Sequence, residues 1–262
     1  MDFHHRKKGT NRSPLKTKPL RMPGQSLQEE IDRRYDKAVE SIMLMAFVSA
    51  MALLEWYRWY FKLPPMPKFY TFLAVLAWLY GMRKIILTRR EFKTLKQARD
   101  GERYVGQCLE KLRERGYRVL HDIVGNGFNI DHVLIGPTGV YTIETKTISK
   151  PVKGPCEVVC EGETVTVNGF TPDRNPIVQA RAQASWIKGF LKEVVTEDCL
   201  VQPVVLYPGW FVKPQPKGSD VWVLNPDILP GFLKNEKQAL DKRDIQAIEG
   251  CLSVYVRNYD FK

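Results

Sequence analysis

The chain has 262 residues, 44% of them hydrophobic, which is enough apolar material to bury the core of one large or two modest domains and excludes disorder throughout. Its 40 Lys and Arg against 29 Asp and Glu give a net charge of +11, which favours a polyanionic partner such as nucleic acid or an acidic lipid surface. Five scattered cysteines without C-x-x-C spacing indicate neither a disulfide framework nor a zinc knuckle, and they favour a reducing compartment.

The first predicted element is a basic arm over residues 1–37. It holds ten Lys and Arg against five acids, and several prolines and Gly24 interrupt any helix until about Leu27. The sequence therefore predicts a flexible arm with a short helix at its end. The arm does not have the succession of segments typical of a secretory signal, because the apolar run begins too late and no small-residue cleavage site follows it.

Two apolar runs follow, "SIMLMAFVSAMALL" and "FYTFLAVLAWLYGM", separated by the aromatic stretch "EWYRWYF" and a proline-rich turn. They predict a transmembrane helical hairpin over residues 38–88, with the aromatic side chains at the membrane interface. Each uncharged run has 14 residues. That is roughly 21 Å of helix against about 30 Å of hydrocarbon, and long charged side chains at the helix ends can snorkel to make up the difference. A pair of buried soluble helices, or a hairpin lying in the interface, is the alternative.

Lys and Arg are concentrated on the two outer sides of the hairpin. Ten precede the first span and seven lie between Arg83 and Arg99, whereas the turn carries Lys62 and Lys68. The positive-inside rule then predicts a multi-pass protein of the inner, cytoplasmic membrane, with both termini and the domain that follows the hairpin in the cytoplasm.

Residues 89–262 predict a mixed α/β domain. A helix is followed by the strand "YRVLHDIV", by two strands joined at a turn and by a small hairpin. Asn175 and Pro176 then open a helix that runs to about Val195, and the strand "LVQPVVLYP" comes next. This order gives an αβββαβ core, a mixed sheet flanked by helices, and not a doubly wound nucleotide fold. A last strand and two helices beyond residue 210 form the far edge of the domain.

The segment "NIDHVLIGPTGVYTIETK", residues 129–146, carries three charged side chains where buried strands normally have apolar ones. Because side chains two apart on a strand point to one face, Glu144 and Lys146 emerge together. A turn centred near residue 138 places Asp131 opposite about residue 145, so all three would cluster, while His132 faces the other side of the sheet. Unpaired burial of such groups is costly, so the cluster is either a structural ion pair or a metal site.

A hard cation such as Mg²⁺ or Mn²⁺ takes oxygen ligands, and two carboxylates with a strand carbonyl supply them. Hydrolysis of a phosphodiester needs neutralisation of the phosphate, an activated water and a positive group for the developing charge. The lysine fills the last role. The D-x₁₂-E-x-K spacing therefore indicates metal-dependent phosphodiester hydrolysis, although many surface strands also carry a Glu-x-Lys pair.

Four segments carry a resemblance to a known family: "GERYVGQCLEKL", "YRVLHDI", "NIDHVLIGPTGVYTIETK" and "NPIVQARAQASWIKGFL". Together, over residues 98–210, they resemble the NERD (nuclease-related) domain of the PD-(D/E)XK nuclease superfamily. The resemblance implies a restriction-endonuclease-like mixed sheet flanked by helices. It also implies nuclease activity with Mg²⁺ or Mn²⁺.

The same resemblance implies a role for each site residue. Asp131 and Glu144 would be the metal-binding acids and Lys146 the catalytic lysine. Glu102, in the first helix, would be an additional acid at the metal, and Gln179 would stand beside the site on the following helix. Considered without the resemblance, Glu102 also suits a solvated acid in a helix, and Gln179 a side chain that faces water.

We therefore predict a membrane-anchored, metal-dependent nuclease that acts on DNA rather than RNA and is held in the membrane through residues 38–88. One alternative is an inactive nucleic-acid-binding or scaffolding module that docks through its basic arm. Another is a membrane protein whose arm binds anionic lipid and whose domain binds a protein. Protein partners in DNA processing or defence, and a homo-oligomer, are compatible with the first interpretation.

Overall fold

The computed structural model describes residues 18–63, 66–125, 127–192, 199–216 and 218–258. Three parts of the predicted elements lie outside these ranges: most of the basic arm's first half, the two central prolines of the hairpin turn, and the residues around Val195.

Two long helices begin the described chain. Helix α1 spans Gln25–Tyr60, and helix α2 spans Pro67–Glu110 before a 3-10 helix at Lys111–Arg115. Both α1 and the helical stretch that starts with α2 are long and apolar enough to cross a membrane. Each runs without a break through a predicted domain boundary, at 37/38 and at 88/89. For α2 the reason is local, because no Pro or Gly occurs in residues 82–100 to end the helix.

The two helices pack antiparallel through small and hydroxyl side chains. The indole N–H of Trp78 donates to Ser49 Oγ at 2.9 Å, and one end of the same interface has a second such bond from Trp56 to Thr71. At Gly81 a Cβ atom would lie only 2.3 Å from the sulfur of Met45, so glycine is what lets the helices approach. The domain's first helix is thus a direct continuation of the hairpin.

The strands of the domain, in chain order, are β1 (Arg118–Val124), β2 (Asn129–Gly136), β3 (Gly139–Thr145), β4 (Glu157–Glu161), β5 (Thr164–Val167), β6 (Val201–Leu206), β7 (Phe211–Val212) and β8 (Trp222–Leu224). The later helices are α3 (Pro176–Leu191), α4 (Leu229–Asn235) and α5 (Lys242–Asn258).

The main sheet has the strand order β1-β2-β3-β6-β8. Strands β1 to β3 pair antiparallel, whereas β3, β6 and β8 pair parallel, so the sheet is mixed. With α2 before β1 and α3 between β3 and β6, this is the predicted αβββαβ core, and the predicted fold class is confirmed. Strands β4, β5 and β7 form a separate small sheet, which contains the predicted hairpin.

The sheet is buried on both faces. On one face Val133 and Ile135 pack with Ile187 of α3 and Ile248 of α5. On the other face residues of the same strands pack against the end of α2 and against α4. At the end of the sheet, Glu144 of β3 contacts Gln183 of α3.

Candidate active site

The two predicted metal-binding acids lie level with each other on neighbouring strands. Strands β2 and β3 pair His132 with Ile143 and Val133 with Thr142, and continuing this register sets Asp131 against Glu144. The turn is centred half a residue earlier than the sequence predicted, which brings the two acids into closer register. Their exposed fractions are 7% and 4%, so both carboxylates are buried.

Hydrogen bonds fix each carboxylate. Asp131 Oδ2 accepts a hydrogen bond from the backbone N–H of Thr145 at 2.7 Å. Glu144 Oε1 accepts one from Lys146 Nζ at 2.7 Å, and the same ammonium donates to Gln179 Oε1 at 2.9 Å. The structure therefore joins Glu144, Lys146 and Gln179 in one chain of contacts, with β3 supplying the acid and the lysine and α3 supplying the glutamine.

Burial and the neighbouring carboxylates both disfavour ionisation of Asp131. Burial raises the pKa of Asp131 well above its ordinary value, and the Glu144 and Glu102 carboxylates raise it further, while the Thr145 N–H and Lys146 act in the opposite direction. Glu102, on α2, lines the same cleft as the pair on the strands. A cation among the carboxylates would relieve the repulsion.

Glu102 is the third acid of the cluster. Burial, and then the carboxylates of Asp122 and Glu144, raise its pKa to about 8, and a hydrogen bond from the backbone of Gly24 counteracts part of the effect. Glu102 is buried, not the solvated helix acid of the alternative interpretation. In the ranges that the structure describes, no three His, Cys, Asp or Glu side chains form a group that could hold a metal ion. A direct bond from Glu102 to the ion therefore stays a prediction.

All five predicted site residues line one cleft of about 1040 Å³. Its walls come from α2, from the ends of β2 and β3, and from α3, and Ser26 and Leu27 of α1 close one side. Arg174, exposed just before α3, adds a positive charge at the rim. The cleft thus combines buried acids at its floor with cationic groups at its edge.

A hard divalent cation fits the donor set at the floor of this cleft. Asp131 and Glu144 both line the cleft, and carboxylate oxygens are the ligands that Mg²⁺ and Mn²⁺ prefer. In addition, Asn129 Oδ1 and Thr145 Oγ1, both from residues that line the cleft, are buried without a hydrogen-bond partner in the described part of the chain. Such oxygens suit the hydration shell of a small cation.

His132 is not among the residues that line the cleft of the acids. It is fully buried and contacts His121 through their Nδ1 atoms at 2.9 Å, on the side of the sheet opposite α3. His121 Nε2 in turn contacts Glu110 at 3.0 Å. This histidine pair belongs to the packing between β1, β2 and α2.

Sequence reasoning missed two buried polar residues near the site. Asp122, in β1, has a left-handed backbone with φ of 52° and no exposed surface, and its Oδ1 accepts a hydrogen bond from Asn129. Gln183, one helical turn after Gln179, donates to Glu144 Oε2. The four-residue spacing of the two glutamines on α3 was a usable signal for the second, because such positions share a helix face.

The structure thus gathers an Asp, a Glu and a Lys at the ends of neighbouring strands, beside a glutamine on the next helix. Residues 97–208 match the family model described as NERD, nuclease-related domain. The match confirms the resemblance over residues 98–210, and it covers the core of the domain but not the helical hairpin.

One curated relative adds a shorter match. An uncharacterized protein of Bacillus anthracis is 41% identical over 51 residues, which is 18% of this chain and 24% of that protein. The chain therefore spans about a quarter of the relative's length. No solved structure matches the chain significantly.

Proposed function

We propose that this protein is a membrane-anchored nuclease that uses Mg²⁺ or Mn²⁺ to hydrolyse phosphodiester bonds, with DNA as the preferred substrate over RNA. The observation that carries the proposal is the juxtaposition of the buried Asp131 and Glu144 with Lys146 and Gln179 in one open cleft. The match to the nuclease-related domain supports the same reaction class.

Each residue has a distinct part in the proposed reaction. Asp131 and Glu144 hold the ion, which when bound neutralises the phosphate and activates the attacking water. Lys146 is held beside Glu144 by Gln179, so its ammonium can orient that water and stabilise negative charge as it develops on the phosphate. Glu102 is a further acid, which adds to the negative charge of the site. Water adds to phosphorus as the bond from phosphorus to the leaving oxygen breaks, so the nucleic-acid strand is cut in two.

The positive net charge of the chain favours association with a polyanion. The chain carries a net charge of +11, and Arg174 and Lys146 line the cleft itself. Lys and Arg contacts to phosphates release counterions and supply most of the sequence-independent affinity for DNA. Binding through such contacts would not require any contact to the bases.

The first prediction tests the reaction on the full chain, purified in detergent. We expect it to cut linear, circular, single-stranded or double-stranded DNA with Mg²⁺ or Mn²⁺, to stop with chelator, and to resume when the metal is restored, because the acids alone cannot activate water. Cleavage is read on gels, and RNA of matched length tests the preference for DNA. Absence of cleavage with every metal and substrate would contradict the proposal.

A second candidate function has its own observation. Lys146 and Gln183 hydrogen-bond the two oxygens of Glu144, which is also how a structural ion pair is stabilised. A nucleic-acid-binding module without catalysis would have such a pair. It would bind DNA in a salt-dependent manner under the conditions of the first prediction and leave it uncut.

The membrane part of the proposal is supported by the surface of the hairpin. Its apolar side chains are exposed, among them Phe47, Leu54 and Leu76, and the aromatic cluster at its tip is also exposed. A soluble protein would rarely present so much contiguous apolar surface. Together with the distribution of Lys and Arg, this favours a multi-pass anchor whose domain lies in the cytoplasm.

The second prediction tests the anchor. Full-length protein should remain with the membranes after an alkaline carbonate wash and be released by detergent. Leu76→Arg places a charge near the middle of the second span, where it costs about 2.5 to 3.5 kcal/mol, and should reduce the membrane-integrated fraction. Leu200→Arg, at an exposed position of the domain, is the matched control and should change nothing. Wild-type protein in the carbonate supernatant would be inconsistent with a spanning hairpin.

A further inference from the structure

Gln183 lies on α3 at the centre of the contacts that surround Glu144. Its exposed fraction is only 2%. Its Nε2 donates to Glu144 Oε2 at 2.6 Å and to the backbone carbonyl of Asn129 at 2.9 Å. A single amide nitrogen therefore links β3, which carries one acid, to the first residue of β2, which carries the other.

The second hydrogen bond of Glu144 fixes the direction of its carboxylate. Lys146 binds Oε1 and Gln183 binds Oε2, so the group is held at both oxygens and its plane is set. An ionised carboxylate has about four lone-pair positions, so these two bonds leave acceptor capacity for an ion. The two hydrogen bonds therefore orient the Glu144 carboxylate and leave it able to bind a cation.

The contacts extend beyond Glu144. Asn129, whose carbonyl accepts from Gln183, also donates through Nδ2 to Asp122 at 2.5 Å. Asn129 stands two residues before Asp131 on β2, and both residues line the cleft. Gln183 therefore supports the strand end on which the first acid lies, as well as contacting the second acid directly.

Stability alone does not account for a glutamine at this position. The Oε1 atom of Gln183 is buried without a hydrogen-bond partner in the described part of the chain. Leaving a buried acceptor unsatisfied is unfavourable, whereas an apolar side chain of similar volume would carry no such cost. The donated bond to Glu144 is the compensating interaction, and its consequence is the geometry of the acid.

We infer that Gln183 is a positioning residue of the metal site, which orients Glu144 for a divalent cation. The inference rests on the proposed function, because it assumes that Glu144 is a metal ligand. Hydrogen-bond partners that orient metal ligands typically contribute 10-fold to 100-fold in affinity or activity.

The third prediction measures this effect as Mn²⁺ affinity. Gln183→Met keeps the length and much of the volume of the side chain but removes the donor, so Mn²⁺ should bind about 10-fold to 100-fold more weakly. Free Mn²⁺ is followed by electron paramagnetic resonance during titration of the detergent-solubilised full chain at fixed pH. Gln215→Met is the matched control, since Gln215 also bonds backbone groups, of Val221 and Val223, but lies away from the cleft. It should leave the affinity unchanged within two-fold.

The possible outcomes separate the inference from the proposed function. Wild-type Mn²⁺ affinity in folded Gln183→Met overturns the inference, whether or not the variant is less stable. If that variant does not fold, Gln183→Asn, whose amide is one methylene too short to reach both partners, decides in the same way. Wild-type protein that binds no Mn²⁺ overturns the metal site and the inference together. Wild-type protein that binds Mn²⁺ but cuts nothing, with weaker binding in the variant, supports the inference and contradicts only the nuclease activity.

Discussion

Asp131→Asn and Glu144→Gln should each lower DNA cleavage by at least about 10³-fold, or about 4 kcal/mol of transition-state stabilisation. Each change keeps the size of the side chain but removes the negative charge that holds the ion. Both acids are buried, so water cannot easily replace either one as a ligand. DNA binding should persist in both variants, because the Lys and Arg residues that contact phosphates are untouched.

The measurement pairs initial cleavage rates with DNA binding by fluorescence anisotropy in chelator. Glu163→Gln is the matched control, because its carboxylate is exposed and pairs with Arg181 away from the acids. It should cut like the wild type. Lys146→Met should lose cleavage while still binding Mn²⁺, since the lysine orients the reaction and is not a ligand. Undiminished cleavage in the Asp131 and Glu144 variants, with contaminating nucleases excluded, would show that the site lies elsewhere.

The sequence was sufficient to predict the part of the site that depends on a single hairpin. Side-chain alternation along a strand and the position of the turn predict that Asp131 lies beside Glu144. Both features depend only on residues that are close together in the sequence. The order of elements likewise determined the αβββαβ core. The contact of Lys146 with α3 follows from the crossover between the parallel neighbours β3 and β6, because this crossover contains α3 and places it against the sheet.

Contacts between distant segments could not be predicted in this way. Asp122 receives the Arg21 side chain from 101 residues earlier in the chain, and no local pattern specifies that approach. The predicted domain boundary at 88/89 also fails to reflect such contacts, because it rests only on the change in hydropathy along the chain. Hydropathy reports on the surroundings of a helix, but the backbone continues through the boundary because nothing in the sequence breaks it.

These contacts change the expected extent of the domain. Pro23 lies against Gly106 of α2, and Gly24 approaches Arg99. Ser26 and Leu27 line the cleft, so the beginning of α1 is part of the folded unit that surrounds the acids. A domain limited to residues 89–262, as predicted from the sequence, would lack this segment.

Arg21→Ala should accordingly destabilise the domain by about 3 to 5 kcal/mol. Arg21 Nε lies 2.5 Å from Asp122 Oδ2, with exposed side-chain fractions of 11% and 0%, so removing the arginine leaves a buried carboxylate without its counter-ion. The N–H of Ser26, which donates to the same oxygen at 2.9 Å, would be left as a weaker partner at the start of α1. For a chain of this size the loss corresponds to a fall in Tm of between about 6 and 20 °C.

Unfolding of the domain can be followed with a thiol-reactive dye on the full chain in detergent, because Cys160 and Cys199 are buried in the folded domain and absent from the hairpin. Arg118→Ala is the matched control: its pair with Glu249 is largely exposed, and such pairs contribute up to about 1 kcal/mol. The double variant Arg21→Ala/Asp122→Asn should recover part of the lost stability, since the uncompensated charge is removed with its partner. Equal Tm values for Arg21→Ala and Arg118→Ala would mean that the segment before α1 does not hold the domain together, and the boundary near residue 89 would then be the better one.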